Sequence, residues 1–207
     1  MRKSVILFSV LLLLAVGAPP AMAQEKAAPA KEQPAPDPQM QAMMAAFEKF
    51  GTPGPEHKLL LDGVGTWDVE SKMWMDPAAP PMLSKGKSVQ RAILGGRYVQ
   101  YDYEGELMGG PFNGFGISGY DRYNKKYISL WMDSWGTGFY LTEGTCDAEG
   151  KVCTETGLWD DYMTGKTMKV KNVFTHLNKD KFTMEMFMVQ ADGKETKTME
   201  LAYTRQK

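Results

Sequence analysis

The 207-residue sequence is poor in the residues on which most site chemistry is built. It has two histidines, His57 and His176, and two cysteines, Cys146 and Cys153. An H-E-x-x-H helix, a C-x-x-C redox pair, a zinc knuckle and an EF-hand loop are all absent. No G-x-S-x-G elbow occurs, because Ser118 sits in "GISG", outside that frame. An excess of one charge is lacking too: 24 basic residues face 25 acidic ones. Such a balance carries no polybasic footprint for nucleic acid. Past the N-terminus, no apolar run is long enough to cross a bilayer. Neither a cofactor nor a metal is expected from these residues.

What is present begins with "MRKSVILFSVLLLLAVGAPPAMAQ". Arg2 and Lys3 precede an apolar run, Val5 to Val16, interrupted by Ser9. Ala21-Met22-Ala23 has the A-x-A form of a cleavage site, so residues 1–23 read as a secretory signal peptide. Removing them removes two basic residues and no acid, which leaves 22 against 25. An exported protein, periplasmic or secreted, is the expectation, with no stable membrane insertion after cleavage. Residues 24–38, "QEKAAPAKEQPAPDP", read as a disordered Pro/Ala-rich linker. Residues 39–50 read as an amphipathic helix with Met40, Met43, Met44 and Phe47 on one stripe. Packing of that stripe on the domain surface is expected, or binding of a partner.

From Gly65 onward turn signals recur every ten to fifteen residues, and β-branched and aromatic residues fill the runs between them. Ten strands are predicted: Gly65–Met75, Lys85–Leu94, Tyr98–Leu107, Asn113–Arg122, Tyr127–Ser134, Gly138–Cys146, Val152–Trp159, Thr167–His176, Lys181–Gln190 and Glu195–Arg205. None of the short connections can hold a crossover helix, so neighbours are antiparallel. The fold class expected for residues 55–207 is all-β, an up-and-down barrel whose closure removes exposed edges.

Alternation orients several strands. Trp67, Val69, Ser71, Met73 and Met75 share a face, as do Phe182, Met184, Met186 and Met188, and Met199, Leu201 and Tyr203. These faces point inward. Thioethers suit Cu(I), but 16 methionines spread through helix and strands read as core filler. In "YISLWMDSW" both faces are apolar, so one is expected to meet the N-terminal helix or another subunit. Self-association is therefore one expectation for partners. Cys146 and Cys153 flank "DAEGK" and would stand opposite each other on a hairpin. The spacing leaves both a disulfide and two free thiols open.

Three stretches carry a family resemblance. "GTW" at Gly65–Trp67 resembles the lipocalin and calycin barrels, which implies that Trp67 packs across the closed barrel end. "LGGRYVQYDYEGELMGGPFNGFGISGYDRYNKKYISLWMDSWGTG" and "EGTCDAEGKVCTETG" are similar to family 1579 of the domains of unknown function, and "MELAYTR" fits it too. The resemblance implies a lipocalin-like barrel in exported bacterial proteins and assigns no catalytic residue.

"NGFGISGYD" contains Gly114, Gly116 and Gly119 in the G-x-G-x-x-G pattern. A dinucleotide fingerprint needs a helix beginning inside it, whereas here a turn and another strand follow. The three glycines are read as structural, permitting a bend or close strand packing. If Trp131, Asp133 and Trp135 face inward, a carboxylate lies among aromatics, with Tyr101, Tyr103 and Tyr140 as further wall. A buried Asp133 needs a partner, for which Arg97 and Arg205 are available. The reading is a non-catalytic barrel for a small apolar or amphipathic ligand. Catalysis with Asp133 as acid or base, and a structural barrel filled by its own side chains, are the alternatives. His57 is expected to cap the turn at the barrel end, and His176 to lie exposed at a strand end.

Overall fold

The computed structural model describes residues 37–162 and 164–207; the expected signal peptide and most of the linker lie outside the described residues. The amphipathic stretch forms α1, Pro38–Gly51. Asp37 caps it, its Oδ1 accepting from the amides of Gln39 at 2.7 Å and Met40 at 3.0 Å. Pro38 stands in the first turn, where its missing N–H and fixed φ suit a helix start.

The apolar face of α1 does not pack on the barrel as expected. None of its residues is buried, and Phe47 is 69% exposed. Its C-terminal end is attached to the turn at residues 122–125. Arg122 Nη1 donates to the carbonyls of Lys49 at 2.6 Å and Thr52 at 2.8 Å, and Phe50 meets Tyr123 edge to face.

The apolar turn before the first strand is a helix, α2, Pro55–Asp62. His57 organises its start: its Nδ1 accepts the Gly54 N–H at 3.0 Å, one of the donors a helix N-terminus leaves unpaired. Leu61 lies over Gly96 and Leu59 over Gly150, while Tyr127 Oη donates to the Glu56 carbonyl at 3.3 Å. The helix thus spans one end of the molecule.

Ten strands follow: β1 Gly65–Met73, β2 Met82–Ile93, β3 Tyr98–Leu107, β4 Gly110–Asp121, β5 Lys126–Asp133, β6 Tyr140–Cys146, β7 Val152–Asp161, β8 Lys166–Asn178, β9 Lys181–Val189 and β10 Glu195–Arg205. Each pairs antiparallel with its sequence neighbours, and β1 closes on β10 from Trp67↔Arg205 to Met73↔Met199. The result is the closed ten-stranded up-and-down barrel expected from the turn spacing. No helix among the described residues is long and apolar enough to cross a membrane.

Trp67 and Arg205 join the barrel to its helical cap. The indole Nε1 donates to the Gly63 carbonyl at 2.8 Å, and the guanidinium lies 4.1 Å over the ring. Arg205 also donates to the carbonyls of Val64, Asp62 and Lys179 at 2.6, 2.6 and 3.1 Å. Its partners are all at the capped end. Met75 lies beyond β1 and is 69% exposed rather than inward, because the strand ends at Met73 and the chain turns away. His176 is not exposed: it lies inside β8, half-buried against Phe182. On the outer face of β5, Ile128 and Met132 are exposed, so α1 does not cover them.

Burial holds His57 below the ordinary imidazole value of 6.5, and His176 is depressed by burial too. As pH falls below 6.5 the unfolded chain takes up these protons first, so stability is full above that value and declines toward the folded-state pKa values. The histidine contribution should therefore drop between pH 7.5 and pH 5.5, read as a narrowing difference in urea midpoint between the parent and His57→Gln. His57→Ala should cost about 1–2 kcal/mol at pH 7.5, from the lost cap and packing.

Candidate functional site

The strand register sorts inward-facing residues into rows that run around the barrel. One row reads Gln90, Tyr101, Gly116, Trp131 and Tyr140. The next reads Val99, Ser118, Ser129, Thr142, Gly157, Val170 and Met188. The third reads Tyr120, Tyr127, Gly144, Glu155, Asn172, Met186, Met199 and Met73.

Of the residues expected to form a pocket, Tyr101, Trp131 and Tyr140 come together on one row. The Tyr101 and Trp131 rings stack, with centroids 5.9 Å apart and planes 18° apart. Gly114 and Gly116 make this possible. A Cβ on Gly114 would enter the Trp131 ring, and one on Gly116 the Tyr101 ring. The glycines let two large rings lie against the β4 backbone. Gly119 faces the other way, under Tyr98, where a Cβ would come 2.5 Å from Cδ1. The nucleotide-like spacing belongs to a strand, as the following turn and strand imply.

Tyr103, Phe112 and Trp135 form a second aromatic string toward the uncapped end. Phe112 meets both Tyr103 and Trp135 edge to face, each at 5.9 Å. Trp135 lies past the end of β5 on the rim, half-exposed. Asp133 is not paired with Arg97 or Arg205, which belong to the capped end. Its Oδ2 accepts from Trp131 Nε1 at 2.9 Å and its Oδ1 from the Trp135 amide at 3.0 Å. It closes the end of β5 and orients the Trp131 indole.

The polar centre of the barrel is elsewhere, at Glu155. This carboxyl is 5% exposed and faces inward from β7. Thr142 Oγ1 donates to its Oε2 at 2.6 Å and Ser129 Oγ to its Oε1 at 3.2 Å. Ser118 Oγ extends the chain, 2.8 Å from Ser129 Oγ. Across the β7–β8 ladder stands Asn172, 4% exposed, with Oδ1 buried and without a hydrogen-bond partner. The Tyr140 phenol lies beside the Asn172 side chain and is pushed up to about 12, mainly by burial. Burial likewise pushes the Glu155 carboxyl above the ordinary carboxylate range, against the opposing pull of Thr142 and Ser129.

Glu155 was readable in principle. Cys146 and Cys153 pair directly and are joined by a disulfide, with Cα atoms 3.8 Å apart. Cys153 is buried on the inner face, so alternation carries Glu155 and Gly157 inward with it. Among the described residues no cluster of three or more His, Cys, Asp or Glu could hold a metal ion.

A closed antiparallel barrel, capped at one end and holding a buried acid among hydroxyls and aromatic rings, defines a lipocalin-like class of protein. The chain belongs to the family described as "Protein of unknown function (DUF1579)", whose model matches residues 52–205. No curated protein matches it. It is similar in fold to the crystal structure of Rv2717c from M. tuberculosis, at 13% identity and a TM-score of 0.55, over 75% of this chain and 100% of that one. A redesigned β barrel, mFAP1, bound to DFHBI, matches at 16% identity and a TM-score of 0.36, over 73% of this chain and 100% of that one.

Two outcomes test this geometry. Gly116→Val should displace Tyr101 and lower stability by about 2–4 kcal/mol, read from urea melts, with no change in nucleotide affinity by calorimetry. For Glu155, the folded state holds its proton more tightly than the unfolded chain. Its contribution to stability should be full below the ordinary carboxyl value and fall as pH rises toward the raised folded value, levelling above it. In Glu155→Gln that decline should vanish, leaving the variant more stable than the parent at neutral pH.

Proposed function

We propose that the chain is an exported, non-catalytic barrel that binds a small apolar or amphipathic molecule. The observation that carries this reading is the incomplete burial of the barrel's own inner wall. Met168, Phe174, Met184, Met186, Met188, Met199 and Leu201 face inward, yet each remains partly accessible. A core filled by its own side chains would bury them, as it does Val69 and Val170. A pocket with apolar walls and a few placed polar groups is the usual form of a small-molecule site. The uncapped end offers the approach. There, a recess of about 520 Å³ opens between Met73, Met82, Leu107 and Met108.

Export rests on the N-terminal pattern and agrees with a disulfide between Cys146 and Cys153, a bond that persists in oxidising compartments. Catalysis by Asp133 has less support, since both its oxygens are engaged in ending β5 and orienting Trp131. Self-association draws support from the exposed apolar residues outside the barrel, Ile128, Met132, Leu141 and Leu158.

Native mass spectrometry of the purified full chain, with solvent extraction of the same sample, tests binding against the filled barrel and reports self-association. Binding predicts a co-purified molecule, and a loss of affinity of tenfold or more in Trp131→Ala, about 1.4 kcal/mol. Asp133→Asn should keep fold and ligand. An empty protein whose Trp131→Ala variant changes only stability would leave the filled barrel. The intact mass also reports monomer or dimer.

A further inference from the structure

We infer that the ligand of this barrel carries an amine at its polar end, received by Glu155 and Asn172, with its apolar body against the methionine wall. The inference rests on the ligand-binding reading above and names the chemistry of that same site.

The polar centre is short of donors. Glu155 has two oxygens, each accepting one protein hydrogen bond, from Thr142 and Ser129. A carboxylate can accept about four. Asn172 Oδ1 on the adjoining strand accepts none, although it is buried. An unpaired buried acceptor is costly, and nearly all such groups in folded proteins have a partner. A ligand bringing several N–H groups to one place would serve both residues. An ammonium has three donors and no acceptor.

The centre is also short of positive charge. None of the three inward rows described above carries a lysine or arginine. The neighbouring row on the capped side, Cys146, Cys153, Phe174, Met184, Leu201 and Ser71, has none either. Arg205 is committed to three carbonyls at the capped end. A buried carboxylate without a cation is unfavourable, and burial holds Glu155 toward its neutral form. Glutamine would fill the same space with the same hydroxyl partners and without that penalty. A cationic ligand reverses the balance, because the acid then meets its counter-charge where water is scarce. Tyr101, Trp131 and Tyr140 stand two rows from Glu155, toward the uncapped end. Met186 and Met199, on the same row as Glu155 and Asn172, supply apolar surface for the rest of the molecule.

Three probes of equal chain length, decylamine, decanol and decanoate, test the head group by calorimetry on the full protein at pH 7. Decylamine should bind the parent barrel at least tenfold more tightly than decanol, and decanoate more weakly than both. Glu155→Gln should reduce the amine's advantage over the alcohol to less than threefold. Equal affinities for amine and alcohol in the parent would overturn the inference and leave the binding barrel standing. So would an amine preference that survives Glu155→Gln. Failure of all three probes to bind the parent would overturn the binding reading itself. The parent comparison decides the matter even if Glu155→Gln does not fold.

Discussion

The structure depends on one pairing, that of the first strand with the last. Antiparallel neighbours joined by hairpins would form an open sheet with two bare edges if β1 and β10 did not meet. Seven residue pairs, from Trp67↔Arg205 to Met73↔Met199, close it. Closure also distinguishes inside from outside. Because side chains alternate, a slip of one residue on β7 would turn Glu155 to solvent and Thr154 and Thr156 to the interior. Arg205 holds the pairing at its end, with donors on carbonyls from α2, from the segment before β1 and from the β8–β9 turn. The helical cap and the closing strand therefore share one side chain.

The barrel was legible because its signals are local. Turn residues marked the hairpins, and alternation in "KFTMEMFMV" and "TMELAYTR" marked the inner wall. Strand ends moved by a few residues, as at β2, which begins at Met82, and at β1, which ends before Met75. The helix α2 is only eight residues long and showed as an apolar turn, since its stability comes from lying across the barrel end rather than from propensity. His176 appeared to be at a strand end because β8 runs on to Asn178 through an irregular register near His176.

The site was half legible. A carboxylate between two indoles, as in Trp131, Asp133 and Trp135, draws the eye, and two of the three residues do face the interior. The partner of Asp133 could not be read, because which end of a barrel a residue occupies follows from the whole strand order. Arg97 and Arg205 sit at the wrong end. Glu155 sits in "CTETG", where threonine neighbours make a strand look solvated on both sides. Only the inward turn of Cys153 reveals its phase. A buried acid with hydroxyl partners and no cation is destabilising in isolation, and such departures from local consistency concentrate where a protein does its work.

The two halves of the inner wall differ in stiffness. On β3 to β6, rings lie against glycine backbone, and Trp131 is fixed by Asp133, so that side has little freedom to rearrange. On β8 to β10 and β1, Met168, Met184, Met186, Met188, Met199 and Met73 present unbranched thioethers, each able to change shape at small expense. One side of the wall therefore keeps a fixed outline, while the other can follow whatever shape is pressed against it.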